Sequence, residues 1–264
     1  MKFYLFNLRK HKEQKGFSLV ELSVVVAIIG VIVAGVIGGQ QLYDSAKLRR
    51  LSTEIIQYTS AINTFKEEYG YYPGDFPQAT SFWSTAGGVT ITNGDGDGRV
   101  RLISKQNGED LYAWSQLTGS EIIFGQFSGV VADVGNIHFD TGVNIPRSQA
   151  YSNVSFTFYS VTGNPPSEDL ELRYLKHYGT KLRVGIVNDS TGGIWAGTNS
   201  LNSRQAKSVD DKIDDGDADS GNLITHRIQA LGGCATNDHL SNAADYDLDS
   251  PLDSCIMEWY LDKL

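Results

Sequence analysis

The sequence predicts an α+β fold. One long N-terminal helix, apolar along its first half and amphipathic along its second, leads into a globular body. Three observations support this. Residues 17–39 form an apolar run of 23 residues with Glu21 as its one charge. From Leu51 to Tyr69 the apolar residues fall at helical spacing. Beyond residue 70, short helical and alternating segments are separated by turns rich in Gly, Pro and Asn. With 264 residues, 41% hydrophobic content and 28 glycines against 6 prolines, the chain has enough apolar material for a core and the composition of a folded, turn-rich body.

The charge is unevenly spread. Residues 1–16 hold Lys2, Arg9, Lys10, Lys12 and Lys15 against Glu13, a net of +4, so the rest of the chain carries −13 within the overall −9. A basic leader before an apolar run longer than the ~20 residues that span a bilayer places the N-terminus in the cytoplasm and the body outside. No small-residue cleavage site follows the run, because Gly38, Gly39, Gln40 and Gln41 lead into more helical sequence. An acidic body repels nucleic acid, so no nucleic-acid binding is expected, and it suits cations. Cys234 and Cys255 are expected to pair if the body is exported; two buried thiols are the alternative.

A carboxylate within an apolar span needs a partner. Cleavage between Gly16 and Phe17 would make Glu21 the fifth residue, about one turn from a new α-amino group. On a neighbouring copy, that amine could meet the carboxylate and compensate two charges that are costly in lipid. The stretch Lys15-Gly16-Phe17-Ser18-Leu19-Val20-Glu21-Leu22 resembles the processing site of type IV pilins and type II secretion pseudopilins. The resemblance implies cleavage after Gly16 by prepilin peptidase, N-methylation of Phe17, and a role for Glu21 in assembly. It implies an inner-membrane assembly platform and a homo- or hetero-oligomeric filament of pilin-like subunits as partners. It also implies a pilin-like body whose antiparallel sheet packs on the long helix. It implies, further, a subunit inserted once in the inner membrane, whose filament lies in the periplasm or at the cell surface. Many pilins carry a Pro about twenty residues into the mature helix; here Gly35, Gly38 and Gly39 occupy that neighbourhood. Type IV pilus and type II secretion pseudopilus both remain open.

The chain thus divides into a leader (1–16), a transmembrane and assembly helix (17–39), its amphipathic continuation (40–70) and a globular α+β domain (71–264). In the continuation, Leu51, Ile55, Tyr58, Ile62, Phe65 and Tyr69 form one stripe that packs on the body. The helix stops near Gly70, ahead of Tyr72-Pro73-Gly74. Lys47, Arg49 and Arg50 read as a solvated face, with contact to acidic neighbours in a filament as the alternative. Residues 109–117 predict a helix with Leu111, Trp114 and Leu117 inward, and about 203–213 a second. Residues 122–127, 154–161, 170–174 and 181–187 predict strands, with turns at 163–166 and 188–190.

Two acidic loops stand out. In NGDGDGRV, Asn93, Asp95 and Asp97 match positions one, three and five of an EF-hand calcium loop, Gly98 the turn at six, and Arg99 the backbone carbonyl at seven. Position twelve is Ser104, so Glu109, Asp110 or Asp75 would have to complete the shell. In DDGDADSG, Asp215, Asp217 and Asp219 alternate beside Asp214, and crowded carboxylates invite a cation. Ca²⁺ at one or two sites is the expectation, with metal-free turns as the alternative. Asp245, Asp247 and Asp249 lack a glycine turn and fit less well. The resemblance adds that several pilins and pseudopilins order their loops with calcium and a C-terminal disulfide.

Enzymatic motifs are missing. His11, His138, His177, His226 and His239 show no metal-binding spacing, and there is no nucleophile elbow, phosphate loop or CxxC pair. Trp83, Trp114, Trp195 and Trp259 read as core residues. No enzyme is expected. The alternative to a filament subunit is a membrane-anchored, calcium-dependent adhesin that never polymerises; an anchored hydrolase is a more distant one.

Overall fold

The computed structural model describes residues 16–85, 88–101, 108–131, 139–161, 179–187, 194–195, 201–225, 227–228, 232–236, 244–251 and 255–262. Leader residues 1–15, the expected strand 170–174 and the expected turns 163–166 and 188–190 lie outside them.

Helix α1 (Leu19–Tyr69) is 51 residues long and runs unbroken through Gly35, Gly38 and Gly39. At 1.5 Å per residue it extends about 75 Å. By internal contacts the chain falls into two units, Met1–Ser45 and Ala46–Leu264. In the first, every large apolar side chain from Phe17 to Ile37 is at least 50% exposed. This part of the helix is long and apolar enough to cross a membrane. In the second unit the 4-3-4-3-4 stripe is buried as its spacing requires. Leu51, Ile55, Ile62 and Phe65 are fully inside, and Tyr58 and Tyr69 pack part-buried against the same core. Burying each such side chain favours the fold by roughly 1.5–3 kcal/mol. The helix ends where the sequence places the end. Gly70 adopts φ +78° and donates its N–H to the Lys66 carbonyl at 2.9 Å, a left-handed cap that glycine takes without steric cost.

Helix α2 (Ala79–Phe82) is a single turn, and helix α3 (Glu109–Gly119) buries Leu111, Trp114 and Leu117 completely, as its spacing predicts. Helix α4 (Ser203–Ile213) opens with a reciprocal cap: the Asn202 side chain accepts the Gln205 N–H at 2.9 Å and the Gln205 side chain accepts the Asn202 N–H at 3.0 Å. The strands are β1 (Ser155–Val161), β2 (Gly179–Val187), β3 (Ile194–Trp195), β4 (Leu223–Thr225), β5 (Arg227–Ile228), β6 (Gly232–Gly233) and β7 (Met257–Tyr260). The main sheet runs β1-β2-β7-β4, antiparallel throughout, with β3 pairing the end of β2; β5 and β6 form a separate antiparallel pair. β1 and β2 match the expected strands to within two residues. The C-terminal strand β7 is inserted between β2 and β4, a pairing of distant segments.

Alternation gives the sheet two different faces. Phe156, Phe158, Leu182, Val184, Leu223 and Met257 bury one face. It meets the helices through rings: Tyr58 lies 4.7 Å from Phe156 and 5.3 Å from Trp114 between centroids. On the opposite face Glu258 is fully buried between Lys181 and Arg183. The Arg183 Nε donates to Glu258 Oε1 at 2.7 Å, the Tyr159 hydroxyl donates to the same oxygen at 2.8 Å, and the Lys181 ammonium pairs with Oε2. One carboxylate of β7 thereby satisfies two cations of β2 and a hydroxyl of β1.

The expected strand at 122–127 is not formed. Glu121 leaves helix α3 with φ +61°, Gly125 takes φ +134°, and the chain turns instead of extending. Ile123 and Phe127 are buried while Phe124 between them is 98% exposed, so the apolar residues act as separate pegs. The Cys234–Cys255 disulfide is present, both residues buried. Closing about 20 residues is worth roughly 3 kcal/mol in the chain-entropy model.

Replacing Glu258 by Ala removes the carboxylate from between two cations packed in the sheet. A loss of about 3–5 kcal/mol is expected, read as a lower midpoint in chemical denaturation. A loss below about 1 kcal/mol would show that water reaches this face.

Candidate functional site

The residues singled out by the sequence lie in three places. At the start of α1, Gly16 and Phe17 are exposed and precede the helix, and Ser18 is its N-cap. Glu21 Oε2 accepts the Ser18 N–H at 2.8 Å, and Ser18 Oγ accepts the Glu21 N–H at 3.2 Å. This is a capping box, and its signal, Ser-x-x-Glu before an apolar run, is present in the sequence as Ser18-Leu19-Val20-Glu21. Reading Glu21 through charge compensation alone missed it. The box places the carboxylate in the first turn of α1, beside the helix N-terminus. A carboxylate accepts up to about four hydrogen bonds, so one backbone donor leaves capacity for a second partner.

The second place is the NGDGDGRV loop, which wraps the turn at the end of α1. Its glycines allow backbone to touch backbone. A Cβ on Gly94 would fall 2.3 Å from the Gly74 carbonyl oxygen, and one on Gly74 would fall 2.1 Å from the Glu109 carbonyl oxygen. Gln116, fully buried on α3, bridges the two segments: its Oε1 accepts the Gly74 N–H at 2.6 Å and its Nε2 donates to the Thr92 carbonyl at 2.9 Å. The Asp75 carbonyl accepts the Gly96 N–H at 3.0 Å and Asp75 Oδ2 accepts the Gly98 N–H at 3.0 Å. Asp95 Oδ1 accepts the Asp97 N–H and Asp97 Oδ1 the Arg99 N–H, each at 3.0 Å, which folds the loop into successive Asx turns. One carboxylate oxygen from each of Asp75, Asp95 and Asp97 lies within 4.8 Å of the others.

Of the residues offered to complete this group, the structure brings in Asp75. Asn93 is engaged elsewhere, its Oδ1 accepting the Thr80 N–H of α2 at 2.8 Å. Glu109 accepts the Asp95 N–H at 2.9 Å and the Arg101 N–H at 3.0 Å, one with each oxygen, so it ties the loop to α3. The Arg101 guanidinium pairs with Asp97 and lies 3.7 Å from Asp95. Burial, then the charges of Glu109 and Asp97, push the Asp75 carboxyl up to about 6; burial also raises Glu109.

The third place is the DDGDADSG loop after α4. Here Asp210, Asp214 and Asp215 form the close group, and Asp217 and Asp219 do not join it. Each member already serves local donors. Asp210 accepts the Tyr246 hydroxyl at 2.7 Å and the Gly216 N–H at 3.3 Å; Asp214 accepts the Leu223 N–H at 2.8 Å; Asp215 accepts the Asp217 N–H at 3.0 Å and the Ser220 hydroxyl at 2.5 Å. Asp219 accepts the Ala244 N–H at 3.0 Å, joining the loop to the disulfide region. Burial raises Asp210 to about 6, opposed by its bonds from Tyr246 and Gly216. On α1, Arg50 pairs with Glu54 at 3.6 Å and donates to Gln149, and Lys47 sits 5.5 Å above the Tyr151 ring, so two of the three cations there serve the body itself.

Compared with known proteins, residues 11–37 match the family model described as the prokaryotic N-terminal methylation motif, the prepilin-type signal of type IV pilins and pseudopilins. Comparison with curated proteins and with solved structures gave no match. The signal and the apolar N-terminal helix are consistent with membrane anchoring.

Replacing Glu109 by Ala leaves the Asp95 and Arg101 N–H groups without their acceptor. A loss of about 2–3 kcal/mol is expected in chelator-containing buffer. Faster amide exchange at residues 95–101, with α4 unchanged, is the local readout.

Proposed function

We propose that the chain is a structural subunit of a helical filament, a type IV pilus-like or type II secretion pseudopilus fibre, and that it works by assembly rather than catalysis. The observation that carries this reading is a methylation-motif helix with an unpartnered apolar surface and one carboxylate in its first turn. An apolar surface of that length needs lipid before assembly and neighbouring helices after it. The basic leader stays in the cytoplasm and the body lies across the inner membrane. Prepilin peptidase hydrolyses the Gly16–Phe17 amide, which frees an α-amino group on Phe17 that is then methylated and keeps its positive charge. In the filament that amine meets Glu21 of an adjoining subunit. Because the Ser18–Glu21 box already fixes the carboxylate, the incoming charge finds a positioned acceptor, and less ordering entropy is lost on pairing.

Glu21→Ala is expected to abolish incorporation into filaments while membrane insertion and processing after Gly16 persist. Ser18→Ala weakens the cap by about 1 kcal/mol but keeps the carboxylate, and is expected to assemble. The readouts are sheared-filament yield and mass spectrometry of the mature N-terminus. If Glu21→Ala assembles normally, or Met1 is retained in cells with an active prepilin peptidase, the reading fails.

A further inference from the structure

The acidic loop beside the end of α1 differs from the one after α4 in one respect. Asp75 is completely buried, and its Oδ1 has no hydrogen-bond partner among the described residues. An ionised buried oxygen without a donor is costly, and natural folds seldom leave one so. Its carboxylate belongs to the group with Asp95 and Asp97, which are exposed enough to admit an ion. Asp95 and Asp97 lie against the guanidinium of Arg101, Glu109 accepts the Asp95 and Arg101 N–H groups, and Asp75 Oδ2 accepts the Gly98 N–H, so four carboxylates crowd this one loop. The donors are all hard oxygens carried on a glycine-rich loop, the chemistry that suits Ca²⁺ over Mg²⁺, which demands stricter octahedral geometry and gives up water reluctantly.

We propose that Asp75, Asp95 and Asp97 form a calcium site that pins the loop of residues 93–101 to the turn following α1, with Arg101 as the internal cation that the ion displaces. The sequence pattern offered Asn93 as first ligand; the structure puts Asp75, about twenty residues earlier, in that place. The consequence is mechanical. Asp75 lies in the turn that follows the end of α1 at Tyr69, and at the far end of the loop Val100 is bonded to β1, its carbonyl accepting the Ser160 N–H at 2.7 Å and its N–H donating to the Ser160 hydroxyl at 2.8 Å. An ion here therefore couples the end of the long helix to the sheet. The site is independent of whether the chain polymerises.

The test uses the full chain in detergent, stripped with chelator and titrated with CaCl₂ or MgCl₂ by calorimetry and thermal unfolding. Calcium is expected to bind and to raise the melting temperature, with magnesium much weaker. Asp75→Asn should weaken calcium binding about tenfold or more. In chelator it should melt no lower than the wild type, because the amide oxygen still accepts the Gly98 N–H and a buried charge is gone. That result separates a lost ligand from a lost fold. If Asp75→Asn does not fold, Asp97→Asn, on a part-exposed side chain, provides the same comparison. Arg101→Gln should tighten binding, and Asp215→Asn should leave it unchanged. No calcium binding by the wild type, or affinity that survives in both Asp75→Asn and Asp97→Asn, would overturn the site. Affinity lost in Asp215→Asn but kept in Asp75→Asn would overturn it as well. Unchanged affinity in Arg101→Gln would overturn the displacement.

Discussion

Helix α1 carries two surfaces with opposite demands on one unbroken backbone ladder. Its first half presents exposed apolar side chains, and its second half presents one apolar stripe that the body covers completely at Leu51, Ile55, Ile62 and Phe65. Hydrogen bonding inside the helix lets the same ladder run through lipid and protein alike, since each backbone group finds its partner within the segment. The remaining elements follow from the second demand. Helix α3 and the apolar face of the sheet are arranged to cover that stripe, and the Tyr58, Trp114 and Phe156 rings meet where the three come together.

The body closes around this helix with few but costly polar groups. Glu54 on α1 is nearly buried and accepts the Ser148 hydroxyl at 2.6 Å and the Gln149 N–H at 2.8 Å, so a surface loop is held down by a charge. Glu258 does the same between Lys181 and Arg183, and Glu109 does so for the acidic loop. Each buried carboxylate acts as an acceptor for donors that apolar packing cannot satisfy, which is the condition on which such groups are tolerated inside. Asp75 accepts the Gly98 N–H with Oδ2, but its Oδ1 has no hydrogen-bond partner among the described residues. The two acidic loops, alike in composition, therefore part ways: after α4 every member of the group serves local donors, whereas beside α1 one buried carboxylate oxygen has no donor among the described residues.

Much of this was legible in the residues. The boundaries of α1, α3 and α4, the inward positions on α1 and α3, and strands β1 and β2 follow from periodicity and from Gly and Pro punctuation, signals carried by residues a few positions apart. The disulfide followed from export and from there being two cysteines. The strand expected at 122–127 failed because apolar residues alone do not fix a backbone; Glu121 and Gly125 turned it. Strands β4 and β7 were too short to show a period, and only their pairing with β2 and each other makes them strands. In the acidic loop, spacing set Asn93 beside Asp95 and Asp97 but could not show that the Asn93 side chain accepts the Thr80 N–H of α2.

The sequence by itself determined the processing motif, the helix that carries it, the cap formed by Ser18 and Glu21, and the acidic character of the loops, since all of these rest on neighbours along the chain. Only the tertiary structure decided which strands pair, which buried carboxylate serves which donor, and that Asp75 stands with Asp95 and Asp97. Those outcomes depend on segments brought together by burial of the core, where the number of donors reaching each acid is a property of the packed arrangement and not of any local stretch.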